Sequence, residues 1–349
     1  MFSYETLALS ILPFFDFTFI KVAGLTSLGM GFSKFIPSPL AWAEDLSKVG
    51  LVCGHLRQLI FPAPLLMGIE TGLFKKKGFD LNVKETAGGG EAARVFAASK
   101  DMDLYFATPP AVIKAILQGE KWKIVSNFTM ANITFVVLGD SPLKTAKDLK
   151  GKKIGITTAG GTVHLITMLI LEKLGFTLDD VKVIHVGALP AIWTAMKGGM
   201  VDCGSLDDPF ATKYRLSGEM RTLFNSVDYV QDIILNFIVA KESFVKEKQE
   251  LLKKFLLTLE ESTNFFLDAN NKRRVAEIFA KGTDFPVEII LRAIEDAPKS
   301  LWKMGFTPAM LKQTEDGMML FKMITEPIPW SKIIDQSCLP EKYRIELPR

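Results

Sequence analysis

Cysteine, histidine and an excess of either charge are what this 349-residue chain has little of. Its three cysteines (Cys53, Cys203, Cys338) and three histidines (His55, His164, His185) are scattered, with no C-x-x-C and no H-x-x-x-H spacing. That excludes the common zinc frameworks and a disulfide-stapled scaffold, and neither a metal nor a cofactor is expected. Basic and acidic residues nearly balance, 42 against 39, and no run of like charge exceeds Lys75 to Lys77. A dedicated nucleic-acid binder would carry a basic patch or stripe, so no nucleic-acid partner is expected. The serines lack a G-x-S-x-G context, and no cysteine is expected beside a histidine in a candidate cleft. Cys53 and His55 alternate along one strand and are expected to face the sheet. No catalytic residue is therefore assigned.

Charge is scarcest at the start. Residues 1–43 contain only Glu5, Asp16, Lys21 and Lys34 as charges and close on Ala41-Trp42-Ala43. An apolar stretch ending in A-x-A reads as a secretory signal, which places the mature chain in the periplasm or another extracytoplasmic space. An uncleaved membrane anchor is the competing reading.

What the chain has in quantity is alternation of strand and helix patterns. Lys153 to Ile156 reads as a strand, Thr157 to Thr162 as a loop of small residues, and Val163 to Leu174 as an apolar helix. A helix start leaves backbone N–H groups unpaired, and the helix dipole adds positive potential there, so the junction favours an anion or polar ligand. Earlier in the chain the same order is present. Val49 to His55 is a strand, followed by a loop, a helix with Pro62 and Pro64 in its first turn, and the strand Asp80 to Glu85. Gly88-Gly89-Gly90, a helix over Glu91 to Ala98 and the strand Met102 to Ala107 complete that copy. An offset of 99 residues superposes Ala92 on Ala191, Asp103 on Asp202 and Pro110 on Pro209. The pattern predicts two similar α/β lobes with largely parallel sheets.

Ligands of such sheets gather beyond the carboxyl ends of the strands. Those ends are Arg57 to Pro62, Gly88 to Glu91 and Thr108-Pro109 in one lobe. In the other they are Thr157 to Thr162, Gly187 to Pro190 and Leu206 to Pro209. Ile124 to Val137 is expected to cross from the first lobe to the second as one long strand, and Ile233 to Val239 to cross back, giving a two-stranded hinge. The helical pattern from Glu242 onward is expected to pack on the first lobe. The division predicted is 44–137 plus 239–349 for lobe 1, made discontinuous by 138–238 for lobe 2.

GLFKKKGFDLNV, the glycine triplet, DLYFATPPAVIKA, SPLKTAKDLKGKKIGI, MKGGMVDCGSLDDPFATKY and WSKIIDQSCL together resemble the solute-binding proteins of ABC importers for nitrate, sulfonate and taurine. Binding proteins for thiamine-pyrimidine precursors are related to these. The likeness runs in order from about Val49 to Leu339. It implies a periplasmic-binding-protein fold of the second type, a small organic ligand held between lobes, and a membrane permease and ATPase as partners of a monomer. It also implies ligand contacts at Arg57, Gln58, Phe61, Pro62, Gly89, Gly90, Glu91, Thr108, Pro109, Thr157, Thr158, Gly160, Gly161 and Thr162, with Trp193, Asp207 and Asp208 added. Leu206-Asp207-Asp208-Pro209 departs from the aromatic-Asp-Pro turn frequent in the family.

Side-chain chemistry then suggests roles. Arg57, the only guanidinium in these loops, would hold an acid group bidentately. Phe61 and Trp193 would sandwich a planar ligand. Asp207 and Asp208 would take an amine or ring N–H, and one of them would cap the next helix. The alternative function on this fold is a thiamine-pyrimidine synthase-like enzyme, which needs a lysine for pyridoxal phosphate and a histidine in the cleft.

Overall fold

The computed structural model describes residues 46–86, 88–177 and 179–348. The expected signal segment, 1–43, lies outside the described residues. In chain order, strand β1 (Ser47–Gly54) leads to helices α1 (Ala63–Glu70) and α2 (Leu73–Lys76), then β2 (Phe79–Thr86) and α3 (Gly89–Ala98). Strand β3 (Leu104–Ala107), helix α4 (Pro109–Leu117) and β4 (Trp122–Met130) finish the first run. The second run is β5 (Thr134–Leu138), β6 (Lys153–Ile156), α5 (Thr162–Lys173), β7 (Lys182–His185), α6 (Leu189–Lys197), β8 (Cys203–Ser205), α7 (Phe210–Leu216) and β9 (Met220–Asn225). After β10 (Ile234–Lys241) the chain is helical: α8 (Glu242–Glu247), α9 (Gln249–Leu267), α10 (Lys272–Ala280), α11 (Val287–Asp296), α12 (Pro308–Leu320) and α13 (Trp330–Ile333).

Two five-stranded sheets result, in the orders β2-β1-β3-β10-β4 and β7-β6-β8-β5-β9. The first three strands of each are parallel, and the fourth runs antiparallel to its neighbours. The central β1 is buried along Gly50–Cys53, as expected of a strand covered on both faces by helices. The two sheets share one topology, and the repeat seen in the sequence has a physical counterpart. Asp103 donates its N–H to Gly50 O at 2.8 Å and accepts Gly50 N–H on Oδ2 at 2.9 Å. Asp202 makes the same reciprocal pair with Lys153, at 2.9 and 2.8 Å. In each sheet an aspartate just ahead of one outer strand of the parallel trio (β3 or β8) is clamped to the middle strand (β1 or β6).

The crossing differs from the expected single strand. Ile124 to Val137 is broken into β4, in the first sheet, and β5, in the second, with residues 131–133 between them. The return passes through residues 226–233 before β10. Ala131 N–H donates to Ile233 O at 2.8 Å, and Ser226 N–H to Ile133 O at 2.8 Å, so the two crossing segments lie side by side. The boundaries drawn at 137/138 and 238/239 fall inside β5 and β10, because each crossing delivers a strand to the sheet it enters.

Helix α9 packs on α1 and α2, with Ser262 Oγ donating to Pro64 O. Phe255 of α9 stacks on Phe74 at 5.1 Å between centroids and meets the edge of Phe79 at 6.0 Å. The C-terminal helices are not confined to this lobe. Leu165 and Leu169 of α5 press against Gly317 of α12, Phe285 meets Phe210 edge to face at 4.8 Å, and Asp296 of α11 lies 3.7 Å from Arg215 of α7.

Gly50 shows how tight the clamp is: a Cβ there would sit 1.8 Å from Asp101 O, a backbone atom, whereas one at Gly90 would meet nothing within 4 Å. Gly50→Ala is expected to lower unfolding free energy by about 3 kcal/mol, and Gly90→Ala to leave it nearly unchanged. Urea midpoints that coincide for the two variants would contradict this packing.

Candidate functional site

The loop after β1 sets which side chains enter the space between the sheets. His55 adopts a left-handed backbone conformation (φ 56°), and its carbonyl accepts the N–H groups of Gln58 and Leu59. This reversal turns Leu59, Phe61 and Pro62 toward the cleft and Arg57 away from it. The Arg57 guanidinium pairs with Glu70 at 2.7 Å and Glu85 at 3.2 Å, and its backbone N–H donates to Glu85 as well. Arg57 does not line the cleft, and its expected role as the acid-holding cation is corrected: two carboxylates at the lobe surface already occupy it. Gln58 also stays outside, its side-chain oxygen 2.9 Å from His55 Nδ1. His55 itself lines the cleft, as does Cys53. Strand alternation led to the opposite expectation. Burial pushes the His55 pKa down, against the Gln58 hydrogen bond and the Glu85 charge that raise it. Burial pushes the Cys53 thiol up, and nearby Glu85 adds to that, so the sulfur is a poor thiolate nucleophile.

Opposite stands the small-residue loop. Thr157, Thr158, Gly160, Gly161 and Thr162 all line the cleft. Gly160 occupies the left-handed region (φ 70°), where a side chain would be strained, and its N–H donates to His164 Nδ1 at 3.0 Å. Thr162 is buried, its hydroxyl 3.5 Å from Leu235 O of β10. Across the cleft are Gly89, Gly90 and Thr108. Neither α3 nor α5 has a side-chain cap at its N-terminus. Two helix starts with open backbone donors thus border one space.

The space is a cavity of about 190 Å³. Leu59, Phe61, Phe106, Phe128, Leu189 and Leu235 make its walls mainly apolar. Phe106 and Phe128 meet edge to face, 4.8 Å apart at 89°. Among the described residues lining it there is no lysine or arginine, and Asp207 is the sole carboxylate. Asp207 is 6% exposed and accepts Thr134 N–H at 3.3 Å. Burial pushes its pKa up to about 7, with the Asp208 charge assisting and the Thr134 hydrogen bond opposing. Without a lysine in the lining, the cofactor-dependent enzyme alternative has no amine with which to form a Schiff base there.

The remaining expected contacts lie elsewhere. Asp208 accepts the N–H and hydroxyl of Thr212 at 2.9 and 2.6 Å, so it caps the turn into α7, and its carbonyl accepts Ile60 N–H from the other lobe. Trp193 stacks on Tyr214 at 4.2 Å, with Lys197 Nζ 5.3 Å from its ring centre. It cannot form a sandwich with Phe61, because its ring is already taken by α7. Pro109 is buried at the start of α4, and Glu91 is exposed in the first turn of α3, off the cavity.

Sequence reasoning missed Phe106, Phe128, Ser205 and Asn236. Asn236 was detectable as a polar residue inside the apolar run Ile233 to Val239. Thr129 donates its hydroxyl to Asn236 Oδ1 at 3.1 Å, which leaves the amide nitrogen as the donor offered to the cavity. Ser205 is 2% exposed, lines the cavity, and has no partner for its hydroxyl among the described residues.

Residues 62–272 match the model of the family described as NMT1/THI5 like. The chain belongs to that family. A relative from Escherichia coli, whose name marks it as a candidate aliphatic sulfonates-binding protein, is 22% identical over 307 residues, covering 85% of this chain and 89% of its own. The crystal structure of the periplasmic aliphatic sulphonate binding protein SsuA from Escherichia coli has a TM-score of 0.70 at 16% identity, covering 82% of this chain and 97% of that one. The periplasmic nitrate-binding protein NrtA from Synechocystis PCC 6803 gives 0.67 at 15% identity, covering 84% and 87%. The fold of this NMT1/THI5-like chain is thus the periplasmic-binding-protein fold of the second type.

The Asp207 carboxyl yields a pH signature. Its ordinary pKa of 3.8 holds in the unfolded chain, so between pH 4 and 7 the folded protein carries a proton that the unfolded chain has released. Stability therefore falls as pH rises through that window, and the cost is fully present above about pH 7. Asp207→Asn removes this cost, and its stability relative to wild type is expected to rise by up to about 4 kcal/mol between pH 4 and 8. Denaturant titrations at a series of pH values check this; parallel curves for the two proteins would refute it.

Proposed function

We propose that this chain is the extracytoplasmic solute-binding component of an ABC importer, a monomer that captures a small organic ligand between two lobes and delivers it to a membrane permease driven by an ATPase. The observation that carries the reading is the cleft cavity, whose described lining holds no lysine or arginine, bordered by the open N-termini of α3 and α5. Helix starts hold acid groups through backbone donors and their dipoles without a lysine or arginine. A sulfonate or carboxylate fits that description best. In this reading the ligand is touched by Phe61, Pro62, Gly89, Gly90 and Thr108 from one lobe. Thr157, Thr158, Gly160, Gly161, Thr162 and Asp207 touch it from the other. A nitrogen heterocycle is the second reading, favoured by Asp207 and by the Nε2 of His55, a ring nitrogen left free when Nδ1 bonds Gln58.

One lobe carries the first sheet and the other the second, with residues 131–133 and 226–233 acting as the hinge. Closure brings Ile60 N–H to Asp208 O and Arg215 to Asp296. Ligand favours the closed form to the extent that it binds that form better. Residues 1–43 serve as the export signal, in keeping with the periplasmic location in the names of SsuA and NrtA.

Thermal-shift screening of small sulfonates, carboxylates and pyrimidines is the test. A true ligand at one hundred times its Kd should stabilise the protein by about 2.7 kcal/mol. If no small solute raises the melting temperature, the importer reading fails. Arg57→Ala should leave the affinity for any hit within about twofold, since Arg57 is engaged outside the cavity.

A further inference from the structure

The cavity has a shape and a wall chemistry that narrow its ligand beyond "small acid". Its polar groups are few. Ser205 offers a hydroxyl with no partner among the described residues, and Asn236 offers an amide nitrogen whose orientation Thr129 fixes. The backbone starts of α3 and α5 add donors at glycines, where no Cβ keeps a ligand at a distance. The other walls are aromatic and aliphatic. Phe61, Phe106 and Phe128 come from three separate segments of the first lobe, and Leu189 reaches in from the second. Phe106 and Phe128, packed edge to face on each other, both line the cavity, and phenyl walls favour a further aromatic ring.

Volume supplies the scale. An engineered apolar cavity of about 150 Å³ admits benzene, and this one measures about 190 Å³. The excess over a benzene ring is room for one compact substituent. An inorganic oxyanion would leave the phenyl walls without a partner and would give up its hydration to groups that cannot replace it.

We infer that the cleft selects aryl acids, a single benzene-sized ring bearing one sulfonate or carboxylate, over alkyl acids and inorganic oxyanions. The inference rests on the importer reading, and it adds the substrate class of the same site. The ring packs among Phe61, Phe106 and Phe128, and the acid group meets Ser205 and the backbone donors of the two helix starts. Asp207 in its protonated form donates to such an acid. The geometry therefore predicts tighter binding at pH 6 than at pH 8.

Calorimetric titration of the full chain at pH 6 with benzenesulfonate, benzoate, methanesulfonate, nitrate and benzyl alcohol tests this. Benzenesulfonate or benzoate is expected to bind at least tenfold more tightly than methanesulfonate or nitrate, with benzyl alcohol weaker than either aryl acid. Phe106→Leu should weaken the aryl acid about tenfold and methanesulfonate much less, so that the preference for the aryl acid shrinks. Because Leu keeps most of the volume, circular dichroism and melting temperature can verify that the variant is folded. If methanesulfonate or nitrate binds as tightly as the aryl acids, the aromatic inference is overturned and the importer reading stands. Tightest binding by benzyl alcohol would overturn the acid half of the inference. If none of the five binds and the wider solute screen is also empty, both readings fall together.

Discussion

Each sheet of this protein is incomplete until the other lobe's segment of chain supplies its fourth strand. β5 arrives from the first lobe to stand between β8 and β9, and β10 arrives from the second to stand between β3 and β4. Both incoming strands run antiparallel to their new neighbours, because each enters a sheet whose first three strands share one direction. The crossing is therefore fastened at both ends by ladder hydrogen bonds, and its free length is short. That constraint sets the lobes with the carboxyl ends of their parallel strands toward a common space, and it puts Asn236 of β10 into the wall of that space.

The electrostatics of the cavity follow from what the fold leaves unpaired. Open helix starts contribute partial positive charge without a full cation, and the one carboxylate, Asp207, is buried deeply enough to hold its proton near neutrality. Two arginines near the loops of the cleft are engaged outside the cavity. Arg57 is held by Glu70 and Glu85, and Arg215 lies between Asp208 and Asp296. A site built this way discriminates by shape and by hydrogen-bond geometry, because no strong point charge attracts every anion alike.

The fold and the positions of the site loops were legible in the sequence because Gly, Pro and Thr mark where parallel strands hand over to helices. Gly89, Gly90, Thr108 and the Thr157 to Thr162 loop lie where that punctuation puts them. Arg57 was misplaced for a local reason: one left-handed residue, His55, reverses the loop, and nothing in residue type announces a positive φ at a histidine. Phe106 and Phe128 were hidden for a different reason. Strands buried on both faces show no alternation, so their sequence does not reveal which side opens into a cleft. The break at residues 131–133 carries no glycine or proline, and so β4 and β5 read as one strand.

The contact between Gly317 of α12 and Leu165 and Leu169 of α5 has a mechanical meaning. A helix anchored among the C-terminal elements rests on a helix of the second lobe at a point where it presents no side chain. A Cβ at position 317 would lie 3.0 Å from Leu165 Cδ1 and 3.2 Å from Leu169 Cδ1, so the helices come this close because the residue is glycine. In the proposed opening of the two lobes, this is a contact that the motion would disturb.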